Sequence, residues 1–168
     1  MKRNFVKTIG GTVLAFMVIS ALAFGLVFAQ NESKSESRSG SDRLIGTWDA
    51  QVTIRNCQTG AAIRTFASIG TFMSGGTMLD STSGVPQALK TPGHGVWSHI
   101  SGNTYRFKFK SFSFDASGNF TGWTIINHEA NLDRRADEYE SAGTAEVYAP
   151  NGNLLFTGCS TTTATRFE

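Results

Sequence analysis

Three histidines, His94, His99 and His128, are the side chains of this sequence best suited to acid–base work or metal ligation near neutral pH. No two of them have the i,i+4 spacing of a metal-binding helix and no cysteine joins them, so the pattern offers no metal centre. The strand pattern derived below puts His99 on an outer face, which breaks any three-histidine site. It puts His128 inside near Tyr105, as a buried hydrogen-bonded residue or as a polar anchor or acid–base for a bound molecule. The acids Asp80, Glu129, Glu140 and Glu146 mostly alternate outward, and no two are spaced as a catalytic pair. Ser74-Gly75-Gly76 is too short to cradle a phosphate and precedes a strand, so it reads as a hairpin turn. No catalytic residue and no cofactor follows from these side chains.

Cys57 and Cys159 take their meaning from the compartment. Lys2, Arg3 and Lys7 precede an uncharged apolar run over residues 8–28, and Val27-Phe28-Ala29 offers the small residues of a signal-peptidase site. Residues 1–29 are therefore expected to be a leader cleaved before Gln30, and the chain to be exported, secreted or periplasmic. An uncleaved membrane anchor is the alternative, because the run is nearly long enough to span. In an oxidising compartment the two cysteines are expected to form a disulfide, with two buried free thiols as the other outcome.

Loss of the leader changes the charge. Removing Lys2, Arg3 and Lys7 from fifteen basic residues leaves twelve against thirteen acidic ones, a net charge of about −1. The basic balance belongs to the leader, and no electrostatic footprint for nucleic acid remains. Residues 30–42 hold almost no apolar side chain and are expected to form a disordered linker. Residues 43–168 then suffice for one hydrophobic core.

The elements that must position these residues are strands. After Asp42 no helical period occurs, and β-branched or aromatic runs alternate with Gly, Asn, Asp and Ser clusters. Eight strands are predicted, at 47–55, 62–72, 77–82, 95–101, 104–114, 120–132, 138–148 and 154–167. All but one of the connections are hairpin-sized. The exception, residues 83–94, carries Pro86 and Pro92. Such a meander predicts an all-β fold, an eight-stranded antiparallel up-and-down barrel.

Period-two alternation assigns the faces. Trp48, Ala50, Val52 and Ile54 share the inner face of the first strand, and Tyr105, Phe107 and Phe109 that of the fifth. The apolar phase then switches to Phe112 and Phe114, which predicts a β-bulge near Ser111. The two-residue turn Gly102-Asn103 sets Ser98 opposite Phe107, so Trp97 is expected outside. Phe120, Gly122, Thr124, Ile126 and His128 are expected inside.

Gly46-Thr47-Trp48 at the start of the first strand, with Arg166 near the end of the last, resembles the kernel of the lipocalins and the wider calycin barrels. The resemblance implies that Arg166 lies over the Trp48 indole and seals one end of the barrel, a cation–π contact. Antiparallel pairing of the first and last strands would bring Trp48 to Arg166 and Cys57 to Cys159 in registers that differ by two residues. The turn Asp133 to Tyr139 departs from the family's Thr-Asp-Tyr pattern.

The resemblance implies a ligand-binding fold without naming the ligand. A small hydrophobic molecule is the expected partner. It would lie between the long connection and Val52, Ile54, Phe109, Phe112, Phe114, Phe120 and Phe156, with Tyr105 and His128 deeper as polar anchors. No nucleic acid is expected, and a membrane only if the apolar segment stays attached. Two other readings stand beside this one: a barrel isomerase or cyclase on a hydrophobic substrate, similar to the allene oxide cyclases, and a non-enzymatic interaction domain with a filled core. Without a catalytic pair, binding is favoured over catalysis.

Overall fold

The structure is a computed structural model describing residues 42–167, so the expected leader and nearly all of the linker lie outside the described residues. The strands are β1 (Gly46–Arg55), β2 (Ala62–Phe72), β3 (Thr77–Thr82), β4 (Gly93–Ser101), β5 (Thr104–Phe114), β6 (Phe120–Leu132), β7 (Glu138–Tyr148) and β8 (Leu154–Arg166). Each pairs antiparallel with the next and β8 returns to β1, closing the barrel. The fold is the all-β up-and-down barrel that alternation and turn spacing predict, with strand limits shifted by two residues at most. Closure leaves no edge strand, although the short β3 pairs with only Ser68–Phe72 of β2 and Gly93–Val96 of β4.

β1 and β8 close in the expected register, with Trp48 opposite Arg166 and Arg55 opposite Cys159. Cys57, just beyond β1, is bonded to Cys159 with their Cα atoms 5.2 Å apart. That separation is ordinary for a disulfide.

Two predicted registers are corrected. In the β4–β5 hairpin Ser101 faces Thr104, but His99 faces Tyr105 and Trp97 faces Phe107. Ile100 is the extra residue, and this bulge beside the turn exchanges the faces of the rest of β4. Trp97 is consequently buried, its indole N–H donating to the Met73 carbonyl at 2.9 Å, while Ser98 and Val96 point out. Burying an indole in place of a serine hydroxyl removes far more apolar surface from water, which favours the bulged pairing.

The second bulge lies on the neighbouring strand. β5 stays in phase through Ser111, and the extra residue is Thr121 in β6, between the pairs Phe114–Phe120 and Ser113–Gly122. Gly122 takes φ 127°, where a Cβ would run into the Tyr148 backbone, so glycine is what this bulge requires.

Candidate ligand cavity

The two ends of the barrel differ. At one end residues 42–45 cross beneath the strands, and Leu44, Trp48, Phe72 and Tyr105 are completely or almost completely buried. Trp48 meets Tyr139 edge to face at 5.0 Å and donates its indole N–H to the Leu44 carbonyl at 3.0 Å. The Arg166 guanidinium lies 4.4 Å from the centre of the Trp48 ring, as the resemblance implies. Its three nitrogens donate to the carbonyls of Ala136, Ile45 and Arg43, each at 2.9 Å. Gly46, at φ 139°, leaves the room that Arg166 Nη1 needs. Stacking plus three charge-assisted hydrogen bonds makes this end a plug.

Towards the other end the interior opens into a cavity of about 370 Å³. Its walls are mostly apolar: Ala50, Val52 and Ile54 from β1, Phe66 from β2, Phe107 and Phe109 from β5, Ile126 from β6, Ala145 and Val147 from β7, and Phe156 from β8. It reaches the surface where exposed Arg64, Val85 and Phe156 line it. Gly84, Val85 and Lys90 come from the long β3–β4 connection, which therefore covers part of the cavity as its length suggests. That connection contains a 3-10 turn, Gln87–Leu89, and is tied down where Thr91 N–H donates to the Phe112 carbonyl at 3.0 Å.

Of the residues expected to surround a ligand, Val52, Ile54, Phe109, Phe156 and His128 line this cavity. Phe112, Phe114 and Phe120 do not; their inward placement is corrected. With the bulge at Thr121 and not at Ser111, Ser111 and Ser113 take the inner positions and the three phenylalanines turn outward. There Phe120 contacts both Phe112 (5.8 Å) and Phe114 (6.1 Å), and Trp123 stacks on Tyr148 at 5.6 Å. Lys110 Nζ sits 4.2 Å from the Trp123 ring centre. Tyr105 is also corrected as a cavity anchor: it is buried in the plugged end, 6.0 Å from Trp97, and takes no part in the lining. Arg64, exposed on β2, stands at the mouth of the cavity.

His128 is inside, stacked obliquely on Phe107 at 5.4 Å. Its Nδ1 and Nε2 each meet a serine hydroxyl at 2.9 Å, Ser141 on β7 and Ser160 on β8. One nitrogen donates and the other accepts, which suits a neutral imidazole. Burial lowers its pKa to about 4. Near neutral pH the ring is uncharged and fully hydrogen-bonded.

The polar feature that alternation missed is Asp80. Its carboxylate points into the cavity, where Ser68 Oγ donates to Oδ2 at 2.7 Å and Lys90 Nζ lies 3.6 Å from Oδ1. Burial raises the Asp80 pKa, opposed by the Ser68 hydrogen bond and the Lys90 charge. The signal was present, since Asp80 shares a strand face with Met78 and Met78 is the apolar member of that face. Ser111 Oγ, buried in the same wall, has no hydrogen-bond partner among the described residues. No three His, Cys, Asp or Glu side chains there are grouped to hold a metal.

No family model matches the chain, and no curated protein matches its sequence.

Proposed function

We propose that this protein is an exported, lipocalin-like barrel that holds one small hydrophobic molecule in its open end. The observation that carries this reading is the cavity of about 370 Å³, walled by Val52, Ile54, Phe109, Ile126, Val147 and Phe156. Ligand sites are concave, mainly apolar and furnished with few polar groups, and this volume falls at the small end of their range. A filled-core interaction domain would lack such a space. The Cys57–Cys159 bridge and the apolar leader support export, since disulfides persist in oxidising compartments. No helix among the described residues is long and apolar enough to cross a membrane.

Native mass spectrometry of the protein purified from its own host tests the reading. A non-covalent adduct of defined mass, lost on denaturation and extractable into organic solvent, is expected. Protein that is always free of adduct, and that takes none up from a lipid extract of the host, would contradict it.

A second reading, an isomerase or cyclase acting on a hydrophobic substrate, draws on one observation. Asp80 holds a carboxylate inside an apolar cavity, a setting in which proton transfer to or from carbon becomes accessible. Recovery of the bound molecule chemically unchanged after prolonged incubation would remove it.

A further inference from the structure

Asp80 projects from β3 and Lys90 from the connection that covers the cavity, and the two meet inside it. Their side chains are 12% and 14% exposed, so both are largely withdrawn from water yet still reach the cavity surface. At 3.6 Å the contact is longer than a charge-assisted hydrogen bond of about 2.7–2.9 Å. Lys90 has three N–H donors and no acceptor, while Asp80 Oδ2 takes the Ser68 hydroxyl and Oδ1 keeps lone-pair capacity beside Lys90. The wall thus presents a donor and an acceptor side by side, with their charges cancelled.

We infer that the ligand is a neutral amphiphile, mostly hydrocarbon with one hydroxyl- or amide-type head, selected by the paired charges of Asp80 and Lys90. The inference rests on the binding function proposed above and names the chemistry of its ligand. A head that both donates and accepts completes the pair, giving its hydrogen to Asp80 and its lone pair to Lys90. A carboxylate would share the site with Asp80 and an ammonium with Lys90. Either leaves an uncompensated like charge in a poorly solvated space.

The remaining lining offers little compensation. His128 is neutral with both nitrogens occupied. Arg64 stands at the mouth, donating to the Gly84 carbonyl with its guanidinium 5.2 Å from the Phe66 ring centre. A cavity of about 150 Å³ holds a benzene. By that measure this one holds about fifteen non-hydrogen atoms, room enough for a ten-carbon chain with its head.

The experiment displaces a bound uncharged apolar fluorophore with decane, decan-1-ol, decanoate or decylammonium, each below its aggregation concentration. Decan-1-ol should displace the fluorophore at about tenfold lower concentration than the other three, the factor expected of one hydrogen bond to a charged group. In Asp80→Asn, Lys90 is left uncompensated and decanoate should become the best competitor. In Lys90→Met the order should pass to decylammonium. Equal displacement by all four, a wild-type preference for either ion, or an unchanged order in both variants would overturn the inference. The wild-type order decides by itself if a variant does not fold. A fluorophore that never binds would contradict the binding function instead, so the two failures are distinguishable.

Discussion

At the plugged end of the barrel Trp48, Phe72, Leu44 and Tyr105 have almost no contact with water, and the Arg166 guanidinium spends all three nitrogens on backbone carbonyls. At the open end the opposite holds. Ile63 (66% exposed), Leu155 (62%) and Phe156 (59%) face solvent around the mouth, and the interior holds a cavity in place of side chains. The buried hydrophobic cluster runs from Leu44, Trp48 and Trp97 in the plugged end to Phe107 and Phe109, which also wall the cavity. The disulfide lies at the other half, joining the β1–β2 turn to β8. One end is held by packing, while the end that must stay hollow is held by a covalent bridge.

That contrast breaks down first if the bridge is dispensable. Replacing both Cys57 and Cys159 with serine frees a segment spanning 102 residues of sequence separation. The chain-entropy relation puts the loss at about 4–5 kcal/mol, to be read from urea denaturation midpoints. A loss below about 1 kcal/mol would mean that the hollow end needs no staple.

The plugged end is tested by its arginine. Arg166→Ala strands three carbonyls and removes the contact with Trp48, so a loss of about 3–4 kcal/mol is expected. Arg64→Ala, at the mouth, should cost less than about 1 kcal/mol in the same denaturation series. Similar costs for the two would erase the distinction between the ends.

His128 sits between the two regions and gives the acid response a defined direction. The unfolded chain takes up its proton near the ordinary value of 6.5, whereas the fold resists until about 4. Across that interval the unfolded state binds more protons, so stability falls as pH drops from about 6.5 to about 4. The full loss is about 3 kcal/mol. His128→Gln, which keeps hydrogen-bonding capacity toward Ser141 and Ser160 without titrating, should flatten this part of the stability–pH curve. A slope unchanged in the variant would place the acid sensitivity elsewhere.

The seam between β1 and β8 was the most legible part of the sequence, for a physical reason. Trp48, Ala50, Val52 and Ile54 alternate without interruption, and the antiparallel register carried Trp48 to Arg166 and Cys57 to the neighbourhood of Cys159. β5 to β6 and β4 to β5 were misread because alternation assumes that each strand keeps one phase. A bulge placed on the wrong partner inverts every side chain beyond it. Phe112, Phe114 and Phe120 were moved inside by such an inversion, and Trp97 was moved outside by the bulge at Ile100. Lys90 carried no periodic signal because it lies in a connection, where position is set by tertiary contacts such as its bridge to Ser113.

The smallest effects should come from the outer aromatic cluster. Phe112→Asp exchanges a 44%-exposed ring near Lys110, and thermal unfolding should shift by no more than a few degrees. A large shift would show that the cluster supports the open end.

The most direct measurement is the titration of an uncharged apolar fluorophore into three proteins: the wild type, Phe112→Asp and Ala145→Phe. Ala145 lines the cavity from β7, and a phenyl ring there occupies space that the fluorophore needs. The expected result is saturable fluorescence enhancement in the wild type and in Phe112→Asp, and its loss in an Ala145→Phe variant that still unfolds cooperatively. Undiminished binding by Ala145→Phe, or loss of binding in Phe112→Asp alone, would contradict a ligand site inside the barrel.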